Sequence, residues 1–155
     1  MTAARTQALD YLRAHRVATL ASIGAEGPWA AAVFYANDGF TLYFLSSPES
    51  RHCANLQRDA RAAATIQEDY ADWRLIKGIQ LEGTVELLSG TDEARARALY
   101  GGKFPLVGRI GAAPAAIVQA LAKVRWYRLS PARLYFIDNS AGFGKRREIA
   151  LAETS

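Results

Sequence analysis

The residues best placed to do chemistry together lie in one stretch of the chain, WAAAVFYANDGFTLYFLSSPESRHCANLQRDARAAATIQ, residues 29–67. Three hydroxyls, Ser46, Ser47 and Ser50, come just before a guanidinium and an imidazole, Arg51 and His52, where the pattern opens a helix. Free backbone N–H groups and the helix dipole favour an anion at such a place. Charge-assisted bonds from side chains there contribute roughly 1.5–3 kcal/mol each, so two or three would hold a phosphate. Upstream, Ala30, Ala31 and Ala32 are small enough for a flat ring system to lie against the backbone. Each feature also has a purely structural reading: an alanine run packs closely, SSPE caps a helix, and an arginine in a first turn is solvated.

Other chemistries find little support. His15 and His52 have no serine or cysteine partner at a diagnostic spacing, and HxxE, HExxH and CxxC patterns are missing, so neither a nucleophilic triad nor a zinc site is expected. No side chain is nominated as catalytic. GFGK at 142–145 is not a phosphate loop: that motif needs a glycine five residues before its GK and a Ser or Thr after it, and Asn139 and Arg146 stand there. It reads as a glycine-rich turn beside the densest basic run, Lys145, Arg146 and Arg147.

The elements that must position these residues are mostly strands. Residues 3–14 carry Ala8, Leu9 and Leu12 at helical spacing and predict a short amphipathic helix at one end of a barrel. VATLAS (17–22), WAAAVFYA (29–36) and FTLYFLS (40–46) read as strands, joined by a turn at 23–28 and by the hairpin signal NDG at 37–39. The last two strands are apolar on both faces, which suits a barrel interior on one side and a helix or second subunit on the other. Ser47 is expected to cap the next helix, with Pro48 in its first position.

ARAAATIQ (60–67) returns to strand, and WRLIKGIQLEGTVELL (73–88) is a long one with Gly78 and Gly83 as places to bend. Thr91, Asp92 and Glu93 open a helix that should stop at Gly101–Gly102. Residues 103–111 look irregular and 113–124 helical. RWYRLSPARLYFID (125–138) is a strand pair or one bent strand around Pro131, and REIALA closes the chain in a brief strand before a tail at Ala152 to Ser155. The order predicts a mainly β protein with helices (α+β), a six- or seven-stranded antiparallel split barrel forming a single domain over residues 1–155.

Bulk properties fit that picture. A 155-residue domain buries about 68–70% of its unfolded surface, and half the residues here are apolar. With Cys53 alone, no internal disulfide is possible, which together with a first segment unlike a signal peptide points to the cytoplasm. No run approaches the roughly 18 apolar residues of a membrane span. The net charge of +4, from 19 basic and 15 acidic residues, favours an anionic partner. Nucleic acid is not expected, because aromatic and basic residues are not interleaved along a strand as stacking platforms require.

The pattern of strand, hairpin, TLYFLSSPESRHCANLQRDARAAATIQ and then GIQLEGTVELL resembles the pyridoxamine 5′-phosphate oxidase-like FMN-binding split-barrel family across residues 15–90. The resemblance implies a homodimer with FMN at the interface, its phosphate on the Ser-Arg-Lys-like step that matches Ser50, Arg51 and His52, the usual lysine being His52 here. It places the isoalloxazine against Ala31, Ala32, Val33 and Phe34, and the ribityl and phosphate contacts on the strand that ends at Ser46 and Ser47. From the second subunit it implies Leu75 to Gly78, including Lys77, and the C-terminal stretch with Lys145 or Arg146. The closing WYRLSPARLYFIDNSAGFGKR resembles short bacterial members. The arginine- and histidine-bearing end of the true oxidases has no residue-by-residue match, so pyridoxamine phosphate oxidation is not expected. The implied function is FMN-dependent oxidoreduction of a small molecule; a carrier or sensor of flavin or haem, and FAD or a deazaflavin in place of FMN, remain alternatives.

Overall fold

The computed structural model describes residues 2–108 and 114–152. Seven strands form one antiparallel sheet in the order β3-β2-β1-β4-β5-β6-β7, and a further pairing of β3 with β6 closes six of them into a barrel. In chain order these are helix α1 (Ala3–Ala14), β1 (Val17–Gly24), β2 (Gly27–Asp38), β3 (Thr41–Ser46), α2 (Arg51–Arg58), β4 (Arg61–Gln67), β5 (Lys77–Leu87), α3 (Gly90–Lys103), α4 (Pro105–Gly108), α5 (Ala115–Ala122), β6 (Arg125–Asp138) and β7 (Arg146–Glu148).

Strand alternation fills the barrel. Ala18, Leu20 and Ser22 of β1 point in while Val17, Thr19, Ala21 and Ile23 point out. The inward set meets Tyr35, Phe44, Ile66, Ile79, Leu129 and Leu134 in the main core. α1 buries Ala8, Leu9, Tyr11 and Leu12 in the same core, and the buried Tyr35 hydroxyl donates to the Leu12 carbonyl at 2.7 Å. The doubly apolar character of β2 and β3 is explained by α3: Ala96 and Tyr100 pack with Ala36, Tyr43 and Trp126 in a second cluster on the outer side.

Several boundaries differ from the sequence expectation. The helix after β3 begins at Arg51, not at Pro48, and its cap is Ser50, whose hydroxyl accepts from the Cys53 N–H at 3.3 Å. Residues 47–50 instead make a turn, with the Ser50 N–H on the Ser47 carbonyl at 3.0 Å. Only Gly83 of the two glycines in β5 marks a bulge. The register shifts between Glu82 and Gly83, and a Cβ there would lie 2.1 Å from the Ser130 carbonyl. α3 runs through the glycine pair to Lys103, β6 is one 14-residue strand, and the last strand is limited to Arg146–Glu148. Residues 105–108 are helical rather than irregular; 109–113 and the tail 153–155 lie outside the described residues.

Candidate functional site

The end of β3, the turn after it and the first residues of α2 bring five of the predicted residues together. Ser46 is buried, and its hydroxyl shares a 2.8 Å hydrogen bond with His52 Nε2; the Ser50 hydroxyl is 3.4 Å from the same nitrogen and donates to the Ser47 carbonyl at 2.8 Å. The ring of His52 is partly buried, and desolvation of its charged form lowers its pKa below the ordinary histidine value. Near neutral pH it is therefore an uncharged imidazole.

Arg51 is not lost in solvent. Its guanidinium lies 4.1 Å from the centre of the Trp29 ring, and Nη1 is 3.8 Å from Oε2 of Glu26, too long for a hydrogen bond. The side chain is 36% exposed, so it is supported on one side and open on the other. The hairpin joining β1 to β2 carries both Glu26 and Trp29, and it is locked to α2 from beneath. Asn55 donates from Nδ2 to the buried Ser22 hydroxyl at 3.1 Å. Gly24 leaves room for the same side chain, since a Cβ there would lie 2.0 Å from Asn55 Oδ1.

Strand alternation divides the predicted ring wall. Val33 is buried in the core and Ala31 is partly buried on the same side, whereas Ala32 is exposed and Phe34, 56% exposed, faces outward against Phe104. A groove of about 710 Å³ lies elsewhere on the sheet, lined by Ala21, Ile23, Pro28, Ala63, Glu82 and Thr84, and none of Ala31, Ala32, Val33 and Phe34 borders it. A concave, mostly apolar wall of small side chains is the kind of surface that receives a planar ring.

Lys77, Lys145 and Arg146 gather elsewhere. β6 pairs Arg125 with Ser46 at its start and Asp138 with Lys77 at its end, so the two groups sit at opposite ends of one 14-residue strand. An extended strand of that length spans roughly 45 Å. At the far end Asn139 is a buried strut: Nδ2 donates to the Trp73 carbonyl at 2.8 Å, its N–H to Ile76 O at 2.9 Å, and Oδ1 accepts from Gly144 N–H at 3.1 Å. Gly142 and Gly144 adopt φ of 139° and 68°, which an L side chain resists. Lys145 borders a cavity of about 130 Å³ with Asp138 and Arg147, and the Arg146 guanidinium lies 4.7 Å from the centre of the Tyr135 ring. No cluster of metal-ligating side chains occurs among the described residues, and no described helix is long and apolar enough to cross a membrane.

A closed six-stranded barrel with one further strand and helices over its flanks defines a split β-barrel protein. Residues 4–138 match the profile of the family described as pyridoxamine 5′-phosphate oxidase, and the chain belongs to that family. A UPF0306 protein of Klebsiella pneumoniae is 34% identical over 120 residues, covering 76% of this chain and 74% of the relative. One from Yersinia pseudotuberculosis is 30% identical over 138 residues, covering 88% and 86%. Among solved structures, a haem-binding protein from Mycobacterium smegmatis superposes with a TM-score of 0.74 at 25% identity, over 96% of this chain and 58% of that longer one. A haem storage protein from Vibrio cholerae gives 0.70 at 17% identity, over 92% and 98%, a likeness of fold.

Proposed function

We propose that the chain is an FMN-binding flavoprotein, working as a homodimer and acting as a flavin-dependent oxidoreductase on a small molecule. The observation that carries this reading is the half-buried Arg51 guanidinium, held on Trp29 beside the Ser46, Ser50 and His52 cluster at the opening of α2. The donor set suits a phosphate monoester: Arg51 supplies charge, Ser47 and Ser50 supply hydroxyls, and α2 adds first-turn N–H groups. Bound there, FMN supplies the redox centre. The chain's own part is to fix the phosphate, to offer the ring the small-residue surface of β1, β2 and β4, and to keep water from it.

The separation of the two basic groups supports the dimer. Arg51 at one end of the barrel and Lys77, Lys145 and Arg146 at the other cannot reach one nucleotide within a single chain, whereas a second copy related by a two-fold axis can bring its far end to the first copy's near end. Replacing Arg51 with Ala is expected to weaken FMN binding about tenfold or more, the loss of roughly 1.5–3 kcal/mol of charged hydrogen bonding. An unchanged FMN titration would remove the phosphate site.

A second reading draws on the haem-binding and haem-storage proteins of the same fold: a carrier or sensor that holds flavin or haem without turnover. The visible spectrum of the purified protein separates haem from flavin. Bound flavin that no pyridine nucleotide reduces favours the carrier.

A further inference from the structure

The β1–β2 hairpin reaches the phosphate site with Glu26 and Trp29, and its two contacts with Arg51 pull in opposite senses. Trp29 presents its ring face to the guanidinium at 4.1 Å, an arrangement that fixes the plane and direction of a side chain with four rotatable bonds while leaving its N–H edge open. Glu26, at the tip of the hairpin, brings a carboxylate to 3.8 Å from Nη1. At that distance it makes no hydrogen bond but does draw on the same positive charge that a phosphate would use. Trp29 is 41% exposed, so its ring is partly covered and partly open beside the guanidinium.

The hairpin cannot drift from α2. Ser22, paired across the hairpin with Trp29, is tied to Asn55 one turn along α2 from Arg51, and Gly24 is the only residue type that lets Asn55 sit where it does. The hairpin backbone that carries Glu26 and Trp29 is thus held beside α2 through buried Ser22 and Asn55.

We infer that Trp29 is a positioning residue that holds the Arg51 guanidinium ready for a phosphate, and that Glu26 is a competing carboxylate that a phosphate must displace electrostatically. The inference rests on the FMN reading and adds to it a control on the phosphate alone. Arg51 favours a ligand whose phosphate carries two charges over one with one charge or none, and Glu26 narrows that preference, because its carboxylate repels the stronger anion more. Glu26 also makes cofactor release easier than Arg51 by itself would.

The experiment is titration of the full-length protein with FMN and with riboflavin, which share the ring and ribityl chain and differ only in the phosphate. In Trp29→Leu the preference for FMN over riboflavin should fall about fivefold to tenfold, the scale of a partly desolvated cation–π contact, with riboflavin affinity unchanged. Trp29→Phe should restore most of it. Glu26→Gln, at a side chain 82% exposed, should raise the preference about twofold to fivefold, and added salt should shrink that gain. A preference present in the wild type and unmoved in both Trp29→Leu and Glu26→Gln overturns the inference and leaves the FMN reading standing. A wild type that binds FMN and riboflavin equally overturns both.

Discussion

The two ends of β6 carry cationic groups built in opposite ways. Beside Arg125, the Ser46–His52 region is organised through its side chains: a cap hydroxyl, a serine–histidine bond, a stacked guanidinium and an asparagine locked under a glycine. Beside Asp138, the 139–147 region is organised through its backbone, which Asn139 ties to residues 73–76 while Lys145, Arg146 and Arg147 stay exposed. A preorganised anion site can act with the charges of one chain. Exposed cations on a rigid turn gain value only when another surface desolvates them, since fully hydrated charges attract weakly. In the proposed dimer the first end would be the primary grip, and the second what a partner subunit brings to it.

Breaking the locked end should have the largest effect. Gly24→Ala forces a methyl into Asn55 and should cost about 1–3 kcal/mol of stability, the scale of overpacking in a tight core. It should also weaken FMN binding, because the hairpin and α2 no longer hold their relation. Thermal denaturation with and without FMN checks both. A variant of native stability would mean that Asn55 swings aside freely and that the lock is not a lock.

Neutralising the exposed end should do less. Lys145→Ala with Arg146→Ala is expected to leave stability unchanged and to weaken FMN binding about threefold to fivefold, more at low salt than at high. The sharper form of the comparison mixes two variants. A chain with Arg51→Ala and a chain with Lys145→Ala and Arg146→Ala are each defective, but a mixed dimer rebuilds one complete site from the sound end of each. Recovery of about one strong site per mixed dimer sharpens the contrast between the ends; no recovery breaks it by placing both groups in separate functions.

How far the sequence foresaw these ends follows the same division. The hairpin at residues 37–39 and the strand order were legible because turn chemistry and apolar alternation are local signals, and the barrel follows from them. The helix start was misplaced by one turn, since Ser47-Pro48 and Ser50 are both good openings. The choice between them is tertiary: starting at Arg51 puts Cys53 and Leu56 in the main core and Asn55 against the hairpin. Glu26 and Trp29 were invisible as partners of Arg51 because their contact depends on how a hairpin 22 residues upstream docks on a helix. Pro48 and Gly101–Gly102 show that one punctuating residue does not fix a boundary when packing favours another.

The smallest expected effect concerns the one position where the near end departs from the family's usual lysine. Burial lowers the pKa of His52, so at pH 8 it is neutral and gives a phosphate a hydrogen bond at most. A bound phosphate favours the protonated ring, and FMN affinity relative to riboflavin should therefore rise as pH falls toward 6, until protonation of the phosphate itself, near pH 6, limits it. The free protein should move the other way. With the folded pKa below the unfolded one, the unfolded chain takes up the proton first, so stability present above about pH 6.5 is lost as pH falls. His52→Lys carries its charge throughout this range, so it should strengthen FMN binding about twofold to threefold at pH 8 and by less at pH 6. Titrations at the two pH values test this, and an equal gain at both would mean that His52 does not face the phosphate.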